Sequence, residues 1–222
     1  MSEPHQEVEW RMFESTFGSN RMEEFLKYSN GSTFRAQQLY VWNGKISASL
    51  WEVVSYLEIA IRAVVDSQFD SASPLANWLD DPLIIKFDDP IRDLINQAKG
   101  KARIYRPNPT REQILEQLPL GFLQALLSKR YLHLWPTLAS GFRGSQRSDH
   151  REISFLMSGL RTLRNRIGHH NQLLDLDLSL EYENLLTLAA FIRPDLGDWL
   201  KTVSRVPRDL SERPTNPLAC SH

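Results

Sequence analysis

The chain has 222 residues, 41% of them apolar, with six Trp, ten Phe and six Tyr: enough for a real core, and too aromatic for a disordered polymer. Its net charge is −1. No apolar run approaches the roughly 18–20 residues of a membrane span, the longest resembling Leu185–Ile192, so a transmembrane role is excluded.

Helical periodicity covers residues 8–28 and 34–69. In the second stretch Ile46, Leu50, Val53, Leu57, Ile61 and Val64 form one apolar stripe, and Asn43-Gly44 is expected to bend or interrupt it. Residues 70–90 read as a loop with breaks at Asp80-Asp81-Pro82 and Asp88-Asp89-Pro90. A helix over about 90–103 follows, then a turn at Tyr105–Pro109. Thr110 and Gln113 have capping-box spacing and open the next helix. Short helices punctuated by Pro119 and Pro136 fill 119–142, and 144–149 is a loop. Helices are expected over 150–168, 179–192 and 195–204, and a polar, disordered tail over 206–222. No strand pair and no repeat is visible. The expectation is an all-α fold, an irregular multi-helix bundle in a single domain over 1–205.

The only cysteine is Cys220, so no disulfide can form within the chain, and a structural zinc site is disfavoured. The acidic, polar N-terminus shows no secretory signal. Both point to a soluble protein of a reducing compartment, the cytoplasm. Charge is unevenly spread. Residues 92–166 hold 14 Lys+Arg against 5 Asp+Glu, and the remainder holds 12 against 22. A basic middle is compatible with a polyanionic ligand; from charge alone, solvated helix faces are the preferred account.

The most informative segment is Arg161-Thr-Leu-Arg-Asn-Arg-Ile-Gly-His-His170. On a helical wheel Ile153, Leu156, Met157, Leu160, Leu163 and Ile167 share one face. Asn165 and His169 lie four apart, nearly opposite that face. Arg164 falls at the apolar boundary, where a guanidinium needs a partner or costs several kcal/mol of desolvation. Glu58 is the candidate carboxylate, and it can also pair with Arg62 at i+4. Gly168 is a poor interior residue, so the helix can end there and aim His169 and His170 freely.

These residue types suit RNA cleavage without a metal. The neighbouring 2′-hydroxyl acts as nucleophile, so DNA is not a substrate. Histidine takes and gives protons near neutrality. Arginine and the asparagine amide donate to the phosphorane oxygens. One set is sparse; two sets across a symmetric homodimer supply both a base and an acid. Arg161 and Arg166 are further candidates for RNA contact. No metal and no cofactor is expected, because no Cys or third His stands near the histidine pair. A structural reading stays open beside this one: Arg164 as a buried salt bridge, with Asn165 and His169 capping the helix end. Arg143 and His150 have a similar spacing but flank a Gly-Ser loop and lack a following Asn. Trp42, Trp51 and Trp135 read as packing residues in preference to base-stacking platforms.

Residues 161–170 resemble the L-R-N-R-I-A-H-H signature of Abi-like proteins in the HEPN superfamily. Leu39-Tyr-Val-Trp-Asn43 is similar to their L-Y-x-W-N segment, and Leu57-Glu-Ile-Ala-Ile-Arg-Ala63 to L-E-x-A-L-R-N, with Ala63 in place of Asn. Pro119–Leu123 through Leu134-Trp135 resembles the F-G-F-W … L-W stretch, with Leu123 where Trp is common. The resemblance spans about 35–200. Gly168 stands where Ala is usual and Asn171 where Glu is usual. It implies a HEPN-like helical domain that dimerises, with Arg164, Asn165, His169 and His170 facing a shared cleft. It also implies a metal-independent endoribonuclease that acts as a toxin or effector in prokaryotic abortive-infection or toxin–antitoxin defence. Such an effector is restrained by an antitoxin, either a small protein or a structured RNA. The rival from another class is a non-catalytic helical dimer that binds RNA or a partner.

Overall fold

The computed structural model describes residues 3–86, 90–144 and 149–215, with side chains from Glu9 onward. In chain order its α-helices are α1 (Glu3–Phe17), α2 (Ser19–Tyr28), α3 (Thr33–Ala72), α4 (Pro90–Tyr105), α5 (Arg111–Glu116), α6 (Leu120–Leu126), α7 (Trp135–Leu138), α8 (His150–Gly168), α9 (Leu178–Ile192), α10 (Pro194–Val203) and α11 (Val206–Ser211). Three short 3₁₀ segments supplement them, and there is no strand among the described residues. The all-α expectation holds. No helix among these is long and apolar enough to cross a membrane. Asp88, Asp89, most of the 144–149 loop and Cys220 lie outside the described residues.

Contacts divide the chain into two interleaved units, where the sequence suggested one domain. One comprises the chain up to Val53, Leu163–Glu183 and the chain from Val203; the other comprises Val54–Thr162 and Asn184–Thr202.

The first unit holds α1, α2, the first half of α3, the end of α8 and α11. The single helix expected over 8–28 is broken at Gly18, whose φ of +91° suits glycine and few other residues. Asn30 and Gly31, at φ +53° and +80°, turn the chain into α3. Met22 and Phe25 of α2 are buried, as are Leu39, Trp42, Ile46 and Leu50 of α3. The expected interruption at Asn43-Gly44 does not occur: α3 runs unbroken through it. One mid-helix glycine costs only about 1 kcal/mol, which the buried residues on either side outweigh.

The disordered tail expected from 206 is also corrected. Residues Val206–Ser211 form α11, because Val206 is fully buried and Asp209 is anchored from two sides. The Trp42 indole donates to the Asp209 carbonyl at 2.6 Å, and the Ser49 hydroxyl donates to its carboxylate. Arg213 donates to the Leu174 carbonyl at 3.1 Å and lies 5.1 Å from the Trp42 ring centre. Residues 216–222 lie outside the described part.

In the second unit the α3 stripe continues through Leu57 and Ile61, then shifts to Val65 and Phe69, leaving Val64 half-buried where the sequence placed it in the core. Trp78, in a 3₁₀ turn, packs on Phe69 at 4.8 Å and donates to Asp66. The capping box of α5 forms as the spacing predicts: the Gln113 amide oxygen accepts from Thr110 N–H at 3.0 Å, and the Thr110 hydroxyl accepts from Gln113 N–H. Gly144 has no room for a side chain, since an added Cβ would lie 1.7 Å from the Ala190 carbonyl oxygen.

Candidate functional site

Helix α8 positions the motif. Its apolar face is as the wheel placed it: Ile153, Leu156, Met157, Leu160, Leu163 and Ile167 are all buried. Asn165 is therefore half-buried on the far side, and His169 and His170 are exposed beyond the last turn. The helix stops at Gly168.

The stop is a Schellman closure made by main chain alone. Asn171 N–H bonds the Arg166 carbonyl at 2.8 Å and His170 N–H bonds the Ile167 carbonyl at 2.9 Å. His170 takes the left-handed position with φ +57°, which glycine usually fills. Arg21 of α2 donates to the His170 carbonyl and lies 5.8 Å from the Tyr40 ring centre, fixing this end from outside the helix. The side chains of Asn165, His169 and His170 take no part in the capping. Among the described residues none of the three has a hydrogen-bond partner.

Arg164 differs from expectation. The Glu58 carboxylate is bound by Arg62 at 3.0 Å. Within its own unit Arg164 has no ion pair among the described residues. Its guanidinium lies over the Trp51 ring, 5.5 Å from the centre, and its Nε is buried without an acceptor. A cation over an indole face is worth about 0.5–2 kcal/mol depending on desolvation. Aromatic stacking thus takes the place of the buried salt bridge.

The supporting residues have structural duties. Glu58 and Arg62 are the i, i+4 pair expected on α3, and Arg62 also donates to the carbonyls of Leu115 and Leu118 at the end of α5. Burial pulls the Arg62 guanidinium below its ordinary range, opposed by the Glu58 charge and hydrogen bond. Arg166 forms a two-pronged pair with Asp175, at 2.6 and 3.1 Å, and donates to the Gln172 carbonyl at 2.8 Å. The bond from Arg166 holds the Asp175 carboxyl below the usual range. Arg166 therefore braces the loop after α8 and has little left for a phosphate. Arg161 is exposed and donates to the Gln124 amide oxygen at 2.7 Å. His150, set aside in the sequence, has its Nε2 buried without a partner and packs edge-on to Trp135 at 5.2 Å. Among the described residues no group of three or more His, Cys, Asp or Glu converges.

Sequence reasoning gave no site role to Arg21 or Tyr40 and read Trp51 as a packing residue. Arg21 carried no local signal, and Tyr40 stood within the Leu39–Asn43 segment with no role of its own, whereas Trp51 carried one by its place on the helix. With Gly44 and Ala48, Trp51 lies on the face of α3 opposite Ile46, Leu50 and Val53, and it is 39% exposed.

Compared with known proteins, the chain matches no family model, no curated protein and no solved structure.

Proposed function

We propose that this chain is a metal-independent endoribonuclease of the HEPN type, acting in the cytoplasm as the effector of an abortive-infection or toxin–antitoxin system. One observation carries the reading. The four polar groups of the motif are not consumed by the fold: main chain closes the helix, and Arg164 rests on an aromatic ring. A structural motif would have spent these donors on caps and ion pairs. The resemblance of residues 161–170 to the Abi-like signature supports the same reading.

In this mechanism a histidine imidazole, His169 or His170, accepts the proton of the ribose 2′-hydroxyl. The 2′-oxygen attacks the adjacent phosphorus. Arg164 and Asn165 donate to the non-bridging oxygens as charge builds on the phosphorane. A second imidazole gives a proton to the departing 5′-oxygen. The products are a 2′,3′-cyclic phosphate and a 5′-hydroxyl. A homodimer supplies the second set of groups. An antitoxin, protein or structured RNA, is the expected restraining partner.

Induced expression in a bacterial host tests the reading. Wild-type protein should arrest growth with breakdown of cellular RNA, and His169→Ala should do neither. Arrest by both proteins would reject a role for the imidazole. Sedimentation should give a dimer at tens of micromolar, and a monomer would count against a shared site.

A further inference from the structure

Wholly within the second unit, the start of α8 and the 3₁₀ segment Lys129–Leu134 border a groove of about 660 Å³. Lys129 and Leu132 of that segment, and Arg151 and Phe155 of α8, stand along it. Phe155 is 68% exposed and Leu132 48%. The fold does not demand an aromatic ring at 155, because Ile153, Leu156, Met157 and Leu160 already supply the buried face of this stretch of α8. Arg151 and Phe155 are four apart, so they are neighbours on one helix face.

The groove is positively charged. The Lys129 and Arg151 side chains are exposed, and neither has an ion pair among the described residues. Asp149 is the one acid among the described lining residues. It sits at the start of α8, where its Oδ1 accepts the Arg151 N–H at 2.8 Å. A carboxylate at a helix N-terminus is partly balanced by the helix dipole. From Gln117 to Ser148 the sequence contains Lys129, Arg130, Arg143 and Arg147 and no Asp or Glu. The two groove cations are thus left to attract an anion from outside.

We propose that a single-stranded segment of RNA docks in this groove, with an unpaired base stacked on Phe155 and its flanking phosphates against Lys129 and Arg151. The choice of RNA over an acidic peptide rests on the ribonuclease reading. Single strands are held without regard to sequence by a positive groove with an exposed ring: cations follow the phosphates, and every base offers a π-face. Leu132 adds apolar surface in the same groove. A duplex keeps its bases stacked on one another and cannot use Phe155. The groove contributes affinity for the strand and no group to the chemistry.

The test is fluorescence anisotropy with a labelled 2′-O-methyl uridine decamer, which 2′-hydroxyl attack cannot cleave. Phe155→Ala should weaken binding about tenfold, the loss of one stacked base, and Phe155→Trp should keep it. Annealed into a duplex, the decamer should bind Phe155→Ala and wild type alike. Lys129→Gln and Arg151→Gln should each lower the slope of log affinity against log salt by about 0.7, one phosphate contact on a single strand. All three side chains are exposed, so melting temperatures should match wild type; a clear fall in Phe155→Ala would make the ring a packing residue and overturn its stacking role. A glutamate decapeptide carries charge without a π-face and should not displace the RNA; displacement at matched concentration overturns the assignment to RNA. Wild-type affinity in Phe155→Ala, an equal loss in Phe155→Trp, or wild-type salt slopes in both glutamine variants overturns the groove. If the groove fails while all-ribose RNA is still cut, the ribonuclease reading survives. If the groove variants lose binding but wild-type protein leaves all-ribose RNA intact, the groove stands and the ribonuclease reading falls.

Discussion

Replacing Arg164 with methionine separates a structural from a chemical role for the motif. Methionine keeps an unbranched apolar stem against the Trp51 ring and removes the guanidinium. Two terms oppose each other. Loss of the cation over the indole costs about 0.5–2 kcal/mol. Removal of the buried, unpartnered Nε relieves a donor whose desolvation costs about 1–3 kcal/mol. With no carboxylate left stranded in the same unit, the net should lie within about 1 kcal/mol of zero, or about 2–4 °C in Tm for a chain of this size. Cleavage, by contrast, should fall by about a hundredfold or more, as when a donor to the reacting anion is lost elsewhere. Differential scanning calorimetry and an RNA cleavage time course read the two effects. A fall of 10 °C or more, corresponding to about 3–5 kcal/mol, would show that a buried charge pair had been broken and would restore the salt-bridge reading. Unchanged cleavage would remove Arg164 from the site.

Three further outcomes follow from the same geometry. Gly168→Ala should raise stability by about 0.5–1 kcal/mol in urea titrations, since its Cβ would sit 3.6 Å from Arg164 and 3.8 Å from Trp51, ordinary contacts, and alanine is the better helix former; destabilisation would mean the helix end is shaped differently. His170→Gly should relieve the positive φ and gain up to about 1 kcal/mol, while lowering cleavage if that imidazole transfers a proton; a loss of stability would show that the ring is a packing residue. Asp209 is pushed up by burial, but bonds from Ser49 and Arg208 outweigh this and hold its carboxyl below the usual range. A depressed carboxylate contributes fully above its unfolded value of about 3.9 and loses that contribution as pH falls through the lower folded value. Amides of α11 should therefore lose exchange protection first on acidification below about pH 4, and Asp209→Asn should remove that pH dependence while weakening α11 at neutral pH.

The sequence was most legible where periodicity was long and uniform. The α8 face, the ends of α9 and α10 and the Thr110 capping box follow from local spacing, because each depends on residues within two turns of one another. Errors arose where distant partners decide. Val206 and Asp209 look like tail until Trp42 and Ser49, some 160 positions earlier, are brought to them. Gly44 looks like a break until the buried residues on both sides are counted. Arg164 was correctly placed at an apolar boundary, but its partner was sought among carboxylates, and the partner is an indole ring. The positions of Asn165, His169 and His170 were legible; the Arg21 contact with the His170 carbonyl was not, because α2 and the end of α8 meet only in the folded chain.

Under the proposed function the motif cleaves RNA through its own side chains. The most direct measurement is incubation of purified protein with single-stranded RNA in excess EDTA, alongside His169→Ala and an all-deoxy strand. End analysis by phosphatase and kinase sensitivity identifies the products. Wild-type protein alone should cleave, leaving 2′,3′-cyclic phosphate and 5′-hydroxyl ends, with the deoxy strand intact. Cleavage that EDTA abolishes and Mg²⁺ restores, cutting of the deoxy strand, or full activity in His169→Ala would contradict the proposed function.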